Sequence, residues 1–199
     1  MKYFILFFML FNLYGSQDYS LRIAHGAAVD SDFGEILTGY IKEHPYNLKV
    51  TALDAGYLLA KDINDWPIDL YIQGGFAHFD EAGMKKDAYE GTLYIKLFYN
   101  LDIWSQRFRL GFGEGGSYVS STLFAEYIDA IQEGDKTSKF LNYLDFTLDF
   151  DLGRALRVKE LEDTTLGFLI KHRSSIFGLV NNVKKGGTNY NCFYIEKKF

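Results

Sequence analysis

The chain has 199 residues, and 26 acidic against 21 basic side chains give it a formal net charge of −5 at pH 7. An acidic chain offers no electrostatic match to nucleic acid, which excludes DNA and RNA as expected partners. The single cysteine, Cys192, excludes an internal disulfide, so another constraint, such as closure of a barrel, is expected to stabilise the fold. Aromatic residues make up 18% of the chain, a composition that favours β-structure with interfacial aromatic belts.

The first 16 residues have the pattern of a secretory signal peptide. Lys2 precedes the apolar run 3–11, and small residues follow at Gly15 and Ser16. The run is too short to span a bilayer as a helix, so we expect residues 1–16 to be removed on export and residues 17–199 to form one β-barrel domain. Because no cysteine lies near the cleavage region and no later segment is a long apolar run, neither a lipid anchor nor a helical membrane protein is expected.

Apolar and polar side chains alternate along much of the remaining chain, as they do in half-buried strands. Residues 67–79 and 89–101 show this pattern on either side of a charged, turn-like segment, which predicts two neighbouring antiparallel strands. The clearest case is 140–152, where leucines and phenylalanines alternate with three aspartates. Weaker patterns predict further strands over residues 19–28, 48–60, 106–120, 164–174 and 187–199.

A total of about eight strands suits a small closed antiparallel barrel, because an even number can close without leaving an exposed edge. One helix is predicted over residues 122–133, too polar to span a membrane and placed between two strands. Residues 33–42 are compatible with either a helix or a strand. The sequence therefore predicts a single all-β domain, an eight-stranded antiparallel β-barrel with one short helical loop excursion.

The alternation leaves two kinds of barrel open, because a soluble barrel turns its apolar side inward and an outer-membrane barrel turns it toward lipid. The chain end helps to choose. Phe199 shares its parity with Phe193 and Ile195, and a terminal aromatic on an alternating last strand resembles the assembly signal of bacterial outer-membrane barrels. Lys197 also lies on this face, where a long side chain near the interface can snorkel to water. We therefore predict an outer-membrane β-barrel in a bacterial cell.

Two polar residues stand on the apolar face of strand 164–174. Leu166, Phe168 and Ile170 share one parity, and His172 and Ser174 continue it. Because residues two apart line the same face of a strand, these two side chains are expected to face lipid. A hydroxyl next to an imidazole that can accept its proton is the arrangement of a nucleophilic esterase site. The simpler interpretation is a polar ring at the membrane interface.

The sequence His172-Arg173-Ser174-Ser175 resembles the His-x-Ser motif of the outer-membrane lipid A 3-O-deacylases of the PagL type. The resemblance extends in architecture over most of the chain, although only the motif is specific. It implies a Ser174 nucleophile and a His172 general base on the outer face of the barrel. It also implies a reaction without a cofactor, in which an ester-linked acyl chain is removed from the 3-position of lipid A in lipopolysaccharide.

The family places an acid at the start of the last strand to orient the histidine. Counting back from Phe199 in steps of two reaches Asn189, which is neither Asp nor Glu. An amide oxygen can accept the imidazole N–H, but it cannot stabilise an imidazolium by charge. The neighbouring candidate, Thr188, has the parity that points into the barrel. Asn189 is therefore predicted as a substitute for the family's acid.

The resemblance also suggests where an oxyanion and a phosphate would bind. The backbone N–H of Ser175, which follows the nucleophile where the family has Asn, and the nearby Gly178 are the expected oxyanion donors. Arg173, Lys184 and Lys185 could contact lipid A phosphates, although a basic loop is an equally good explanation of the lysines.

Other chemistry-bearing residues are assigned to structure. The remaining histidines lack metal-ligand spacing, so no metal is expected, and the aspartates of the predicted strands are expected to form ion pairs inside the barrel. The glycine cluster 113–117 lacks the residues of a phosphate-binding loop, and Glu114 within it could reach a polar site only through a bulge. The histidines assigned to structure are His25, His44 and His78. The aspartates expected to form ion pairs are Asp54, Asp69, Asp145, Asp149 and Asp151, with Lys96, Arg107 and Arg109 as their cationic partners.

Three functions follow from this sequence. The favoured one is a lipid A deacylase of the outer membrane that uses a serine and a histidine. The alternatives are a non-catalytic structural or lipid-binding outer-membrane barrel and a soluble periplasmic barrel with an apolar ligand. Acyl-chain preference and oligomeric state do not follow from the sequence.

Overall fold

Antiparallel strands account for most of the computed structural model, which describes residues 17–175, 181, 183 and 187–199. Each strand pairs with the next along the chain, and the first pairs with the last to close a barrel. This confirms the predicted fold class; the expected signal peptide, 1–16, lies outside the described residues. Within them the strands are β1 Tyr19–Val29, β2 Lys49–Ala60, β3 Ile68–Asp80, β4 Ala88–Ile103, β5 Gln106–Val119, β6 Phe140–Asp151, β7 Thr164–Ser174 and β8 Gly187–Lys198.

Three helices lie between strands in the described part of the chain: α1 Phe33–Leu37, α2 Phe124–Glu133 and α3 Leu152–Leu156. Short 3-10 turns occur at Ile63–Asp65 and Lys159–Leu161. None of the described helices is long and apolar enough to cross a bilayer. We call the end of the barrel where β1 begins and β8 ends the termini end, and the opposite end the loop end.

The outer face of the barrel is apolar. Large aliphatic and aromatic side chains point outward from every strand at the parity that the sequence predicted, and buried charged side chains such as Arg22, Lys96 and Asp145 face the interior. Aromatic pairs flank this surface toward both ends: the Tyr19 and Tyr57 rings lie 5.1 Å apart near the termini end, and the Phe76 and Tyr89 rings 5.7 Å apart near the loop end. Exposed outward residues include Ile23, Leu53, Leu93, Leu110, Leu148 and Phe193.

Ion pairs fill the middle of the barrel. Asp145 accepts hydrogen bonds from Arg22 at 2.6 Å and from Lys96 at 2.5 Å, and Asp54 accepts from the same arginine at 3.0 Å. A second group lies nearer the termini end, where Arg109 binds Asp149 and Glu196. The prediction of internal pairs with Lys96 and Arg109 is therefore correct. Arg107 instead pairs with the exposed Asp102, and Arg22, which was not among the predicted cations, pairs with Asp145 in the interior.

Helix α2 closes the loop end of the barrel from inside. Its buried residues Phe124 and Ala125 pack on small and apolar side chains of the strands, among them Phe79 and Val119. The carboxylate of Glu81 accepts a hydrogen bond from the Phe124 backbone N–H at 2.7 Å and so satisfies a donor at the helix start. The predicted helix is present, and it seals the barrel rather than extending from it.

The segment 31–37, which we call the strap, folds over the outside of the barrel. It contains α1 and follows β1 at the loop end. Its buried residue Ile36 packs with Val29 and Ile170, and the Phe33 and Phe146 rings lie 4.7 Å apart. The strap therefore covers part of the outer face of β6 and β7 at the loop end.

Lys197 is outward on β8, as predicted, but it does not snorkel. Its ammonium donates a hydrogen bond to the backbone oxygen of Glu162 at 2.7 Å, and only 6% of the residue is exposed. The connection between β6 and β7 covers it, which removes the cost of a charged group on an apolar surface.

Candidate functional site

His172 and Ser174 lie on the outer face of β7, next to the loop end. Their neighbours in sequence, Lys171 and Arg173, point into the barrel, where both pair with Glu90. The predicted parity is therefore correct. Each of the two outward residues has a register partner on either side, Leu144 and Asn189 for His172, and Asn142 and Gly187 for Ser174.

The imidazole of His172 is paired with the side chain of Asn189. Nδ1 of the ring lies 2.6 Å from Oδ1 of the amide. The amide nitrogen of Asn189 donates a hydrogen bond to the backbone oxygen of Ser31 at 2.9 Å, which fixes the amide with its oxygen toward the ring. Because an amide oxygen only accepts, Nδ1 carries the proton and Nε2 keeps its lone pair. This is the tautomer that a general base requires.

The strap shields this pair from water. The Phe33 ring lies 5.0 Å from the imidazole of His172, and Asn189 is only 8% exposed. His172 itself is half-buried. A hydrogen bond in such a dry environment is stronger than the same bond in water, so the strap holds the imidazole in one orientation.

An apolar groove begins next to the His172–Asn189 pair, on the side toward the termini end. It has a volume of about 620 Å³ and runs across the outer face of β3 to β7. Phe146 and Ile170, which face each other in register, line its near end, and Leu37 of the strap contributes to its wall. Further lining residues are Leu97, Leu110, Phe112, Leu148 and Phe168. The groove therefore provides an apolar surface for a ligand. It ends at Ile170, two residues before His172 on the same face of β7.

The structure does not place every predicted site residue on the outer face beside His172 and Ser174. Arg173 is fully buried inside the barrel, and its Nε donates to Glu126 at 2.6 Å, so it cannot reach a phosphate on the outer surface. Thr188 also faces the interior, as predicted. Ser175 is buried immediately after β7. The predicted oxyanion donor Gly178 and the predicted phosphate ligands Lys184 and Lys185 lie outside the described residues.

Glu114 does not complete the site. It is exposed on the outer face of β5, and the pairing of β5 with β6 runs without a register shift, so no bulge turns it. Leu144 separates it from His172 in register. With about 4.8 Å between adjacent strands, the backbones of Glu114 and His172 lie about 10 Å apart with the Leu144 side chain between them.

The other histidines have local partners. His25 bonds to Thr51 at 2.9 Å, and His78 lies 3.0 Å from the carboxylate of Asp87. His44 contacts the backbone of Tyr46. In the part of the chain that the structure describes, no three histidine, cysteine or acidic side chains are grouped as metal ligands would be.

Ser31 and Phe33 of the strap and Asn142 of β6 also lie at the site, and the sequence did not predict them. The two strap residues reach the site from the far side of β8, and no sequence pattern reports such a contact. For Asn142 a signal existed, because the alternation of 140–152 gives it the same parity as Leu144 and Phe146. An amide among apolar side chains on a lipid-facing strand could have been singled out.

Comparison with known proteins gives a fold and no family. No protein-family model matches the chain, and no curated protein does. Among solved structures, the outer membrane enzyme PagL superimposes with a TM-score of 0.61 at 11% identity, over 90% of this chain and 99% of that one. Neisserial surface protein A, NspA, superimposes with a TM-score of 0.53 at 15% identity, over 92% of this chain and 98% of that one.

These likenesses identify an eight-stranded barrel of the outer-membrane type. At such low identities they establish the fold alone. One neighbour is described as an enzyme and the other as a surface protein, so the fold is compatible with either role. The choice depends on the side chains of the site.

Proposed function

We propose that this chain is an exported outer-membrane esterase that removes the acyl chain from the 3-position of lipid A. Its apolar outer face and flanking aromatic residues suit insertion in a bilayer. The observation that carries the proposal is the contact of His172 with Asn189 on that face, two residues from Ser174. The groove below it supports a substrate with an acyl chain, because an apolar chain gains free energy by leaving water for apolar side chains.

In the proposed reaction, Ser174 Oγ attacks the acyl carbonyl carbon while its proton passes to Nε2 of His172. The carbonyl electron pair moves onto oxygen, and the resemblance to the lipid A 3-O-deacylases implies that the Ser175 N–H stabilises that charge. When the intermediate collapses, the bond to the sugar oxygen breaks and His172 returns the proton to that oxygen. Water then hydrolyses the acyl-enzyme with His172 again as base. Asn189 orients the imidazole throughout.

Mass spectrometry of lipid A tests this proposal. We expect lipid A from cells that produce the protein to lack the mass of one ester-linked hydroxyacyl chain, relative to cells that carry the empty vector. The released acid should appear in the same extracts. Heat-modifiable migration of the protein in the outer-membrane fraction is the control for folding. Unchanged lipid A around a folded, inserted barrel would contradict the proposal.

A non-catalytic lipid-binding barrel is the second candidate. The neutral Asn189 favours it, because an imidazolium formed during catalysis would have no counter-charge from its orienting group. The likeness to a surface protein is compatible with the same role. This candidate predicts binding of acylated lipid in the groove without loss of acyl chains.

Replacing Asn189 by Asp is expected to raise the rate of deacylation by about tenfold, because a carboxylate stabilises the developing imidazolium. The gain is limited by Ser31, whose backbone oxygen accepts from the amide at 2.9 Å and would repel a carboxylate. Steady-state release of acyl chains from lipid A in mixed micelles measures the effect.

Asn189→Leu is the matched control for this prediction. It keeps the branched shape of the side chain, removes the acceptor and should lower the rate below that of the unmodified protein. Equal rates for all three forms would show that Asn189 does not orient His172.

A further inference from the structure

Asn142 lies directly opposite the proposed nucleophile. It is an outward residue of β6, and the antiparallel register pairs it with Ser174 of β7. The Cβ atoms of directly opposite residues in an antiparallel pair lie about 4.5–5.5 Å apart. The amide is therefore near enough to contact a group bound to the serine oxygen.

The amide of Asn142 is half-buried and does not contribute a polar interaction to the fold. Among the described residues it makes no hydrogen bond, ion pair or ring contact, although its two neighbours on the same face of β6, Phe140 and Leu144, are apolar. Asn189, in contrast, uses both ends of its amide. Because an amide without a partner on an apolar surface costs free energy, the unpaired donor at Asn142 points to a ligand.

The opposite side of Ser174 has no side chain. Gly187 is its register partner on β8, and a Cβ there would lie 2.4 Å from the Arg173 backbone oxygen and 3.5 Å from Cε1 of His172. The serine is thus bordered by an amide donor on one side and by bare backbone on the other. Of the two register partners of Ser174, only Asn142 offers a side-chain donor to a carbonyl group placed over the serine, in addition to the backbone N–H of Ser175.

We propose that Asn142 is an oxyanion donor of the esterase site; this rests on the proposed function. Its Nδ2–H donates to the carbonyl oxygen of the scissile ester. As Ser174 Oγ bonds to the carbonyl carbon, the electron pair of the double bond moves onto that oxygen and the hydrogen bond becomes stronger. The pair returns when the sugar oxygen leaves with the proton from His172. A donor that strengthens in the transition state raises kcat more than it lowers KM.

The test compares four forms of the folded protein in detergent micelles with lipid A as substrate. Asn142→Ala is expected to lower kcat by a factor of about 10²–10³ with KM changed by less than about twofold. Asn142→Asp, which keeps the shape but has no N–H donor, should lose at least as much. Glu114→Gln is the control, since that exposed side chain is separated from the site by Leu144. The urea unfolding midpoints of Asn142→Ala and Glu114→Gln should be no lower than that of wild type, so a lower kcat would not reflect loss of fold.

A second measurement uses an alkyl fluorophosphonate, which phosphonylates serine as fluoride leaves and places its P=O oxygen where the oxyanion forms. Asn142→Ala should slow labelling of Ser174 by a similar factor. If wild type deacylates or is labelled and Asn142→Ala does so at the wild-type rate, the Asn142 assignment is overturned while the esterase stands. If wild type neither deacylates nor is labelled, both proposals are overturned.

Discussion

Ser174→Ala is expected to lower the rate of acyl release from lipid A by a factor of about 10⁴ or more. The methyl group cannot form an acyl-enzyme, so only the background provided by binding remains. The fold should be unaffected, because Ser174 is half-buried at the end of β7 and its neighbours on the strand keep their partners inside the barrel. Purified protein in mixed micelles, with released fatty acid quantified by mass spectrometry, measures the loss.

The matched control for this substitution is Ser105→Ala. Ser105 is exposed in the turn between β4 and β5 at the termini end, the whole length of the barrel away from the site. Its replacement should leave the rate unchanged. Acyl release at the wild-type rate by the Ser174 variant would place the nucleophile elsewhere.

His172→Ala should cost nearly as much as the serine variant, and the double variant should cost no more than either. The two residues act as one unit, because the serine is a weak nucleophile unless the imidazole accepts its proton. Additive losses would indicate two independent contributions to binding instead of one catalytic pair.

Alternation of side chains was sufficient to predict the barrel. Apolar side chains recur at every second residue along the clearest strands, β4 and β6, and the strand bounds differ from the predicted ones by only a few residues. The same parity placed His172, Ser174 and Asn189 together on the outer face. It also required Arg173 to point inward, so assigning that arginine to an external phosphate conflicted with the pattern itself.

What alternation could not predict are contacts that depend on register and on loops. The pairing of Asn142 with Ser174 follows from how β6 aligns with β7. The connection between these two strands, which contains α3 and a 3-10 turn, sets that alignment. The role of Ser31 follows from the strap, which crosses the outside of β8 to reach Asn189. Arg22 was missed because its aspartate partners lie on β2 and β6, far from it in sequence.

The amide of Asn189 makes two contacts that a carboxylate could not make together. A carboxylate at residue 189 would face the backbone oxygen of Ser31, whereas the amide of Asn189 satisfies this oxygen and the imidazole together. The strap and the choice of Asn are therefore coupled. Covering the imidazole with Phe33 favours its neutral form, since a buried cation without a counter-charge is costly.

Asp145→Asn is expected to destabilise the barrel by about 3–5 kcal/mol, because removing one partner of a buried ion pair leaves uncompensated charge. Asp145 is fully buried between Arg22 and Lys96, and with Asp54 the four side chains are electrically balanced. The variant leaves two buried cations with one carboxylate. Reversible urea unfolding in lipid vesicles measures the loss.

The double variant Asp145→Asn with Lys96→Met distinguishes a loss of stability caused by unbalanced charge from one caused by lost hydrogen bonds. It restores balance, with Arg22 opposite Asp54, and should recover most of the lost stability. Asp102→Asn at the rim, which removes exposed pairs with Arg107 and Arg154, should cost about 1 kcal/mol or less. A double variant no more stable than Asp145→Asn would mean that the hydrogen bonds of Asp145, including one from Tyr143, stabilise the interior more than its charge does. The barrel would then depend on the geometry of its polar core, and the outer site would depend on that same geometry through the register of β6 and β7.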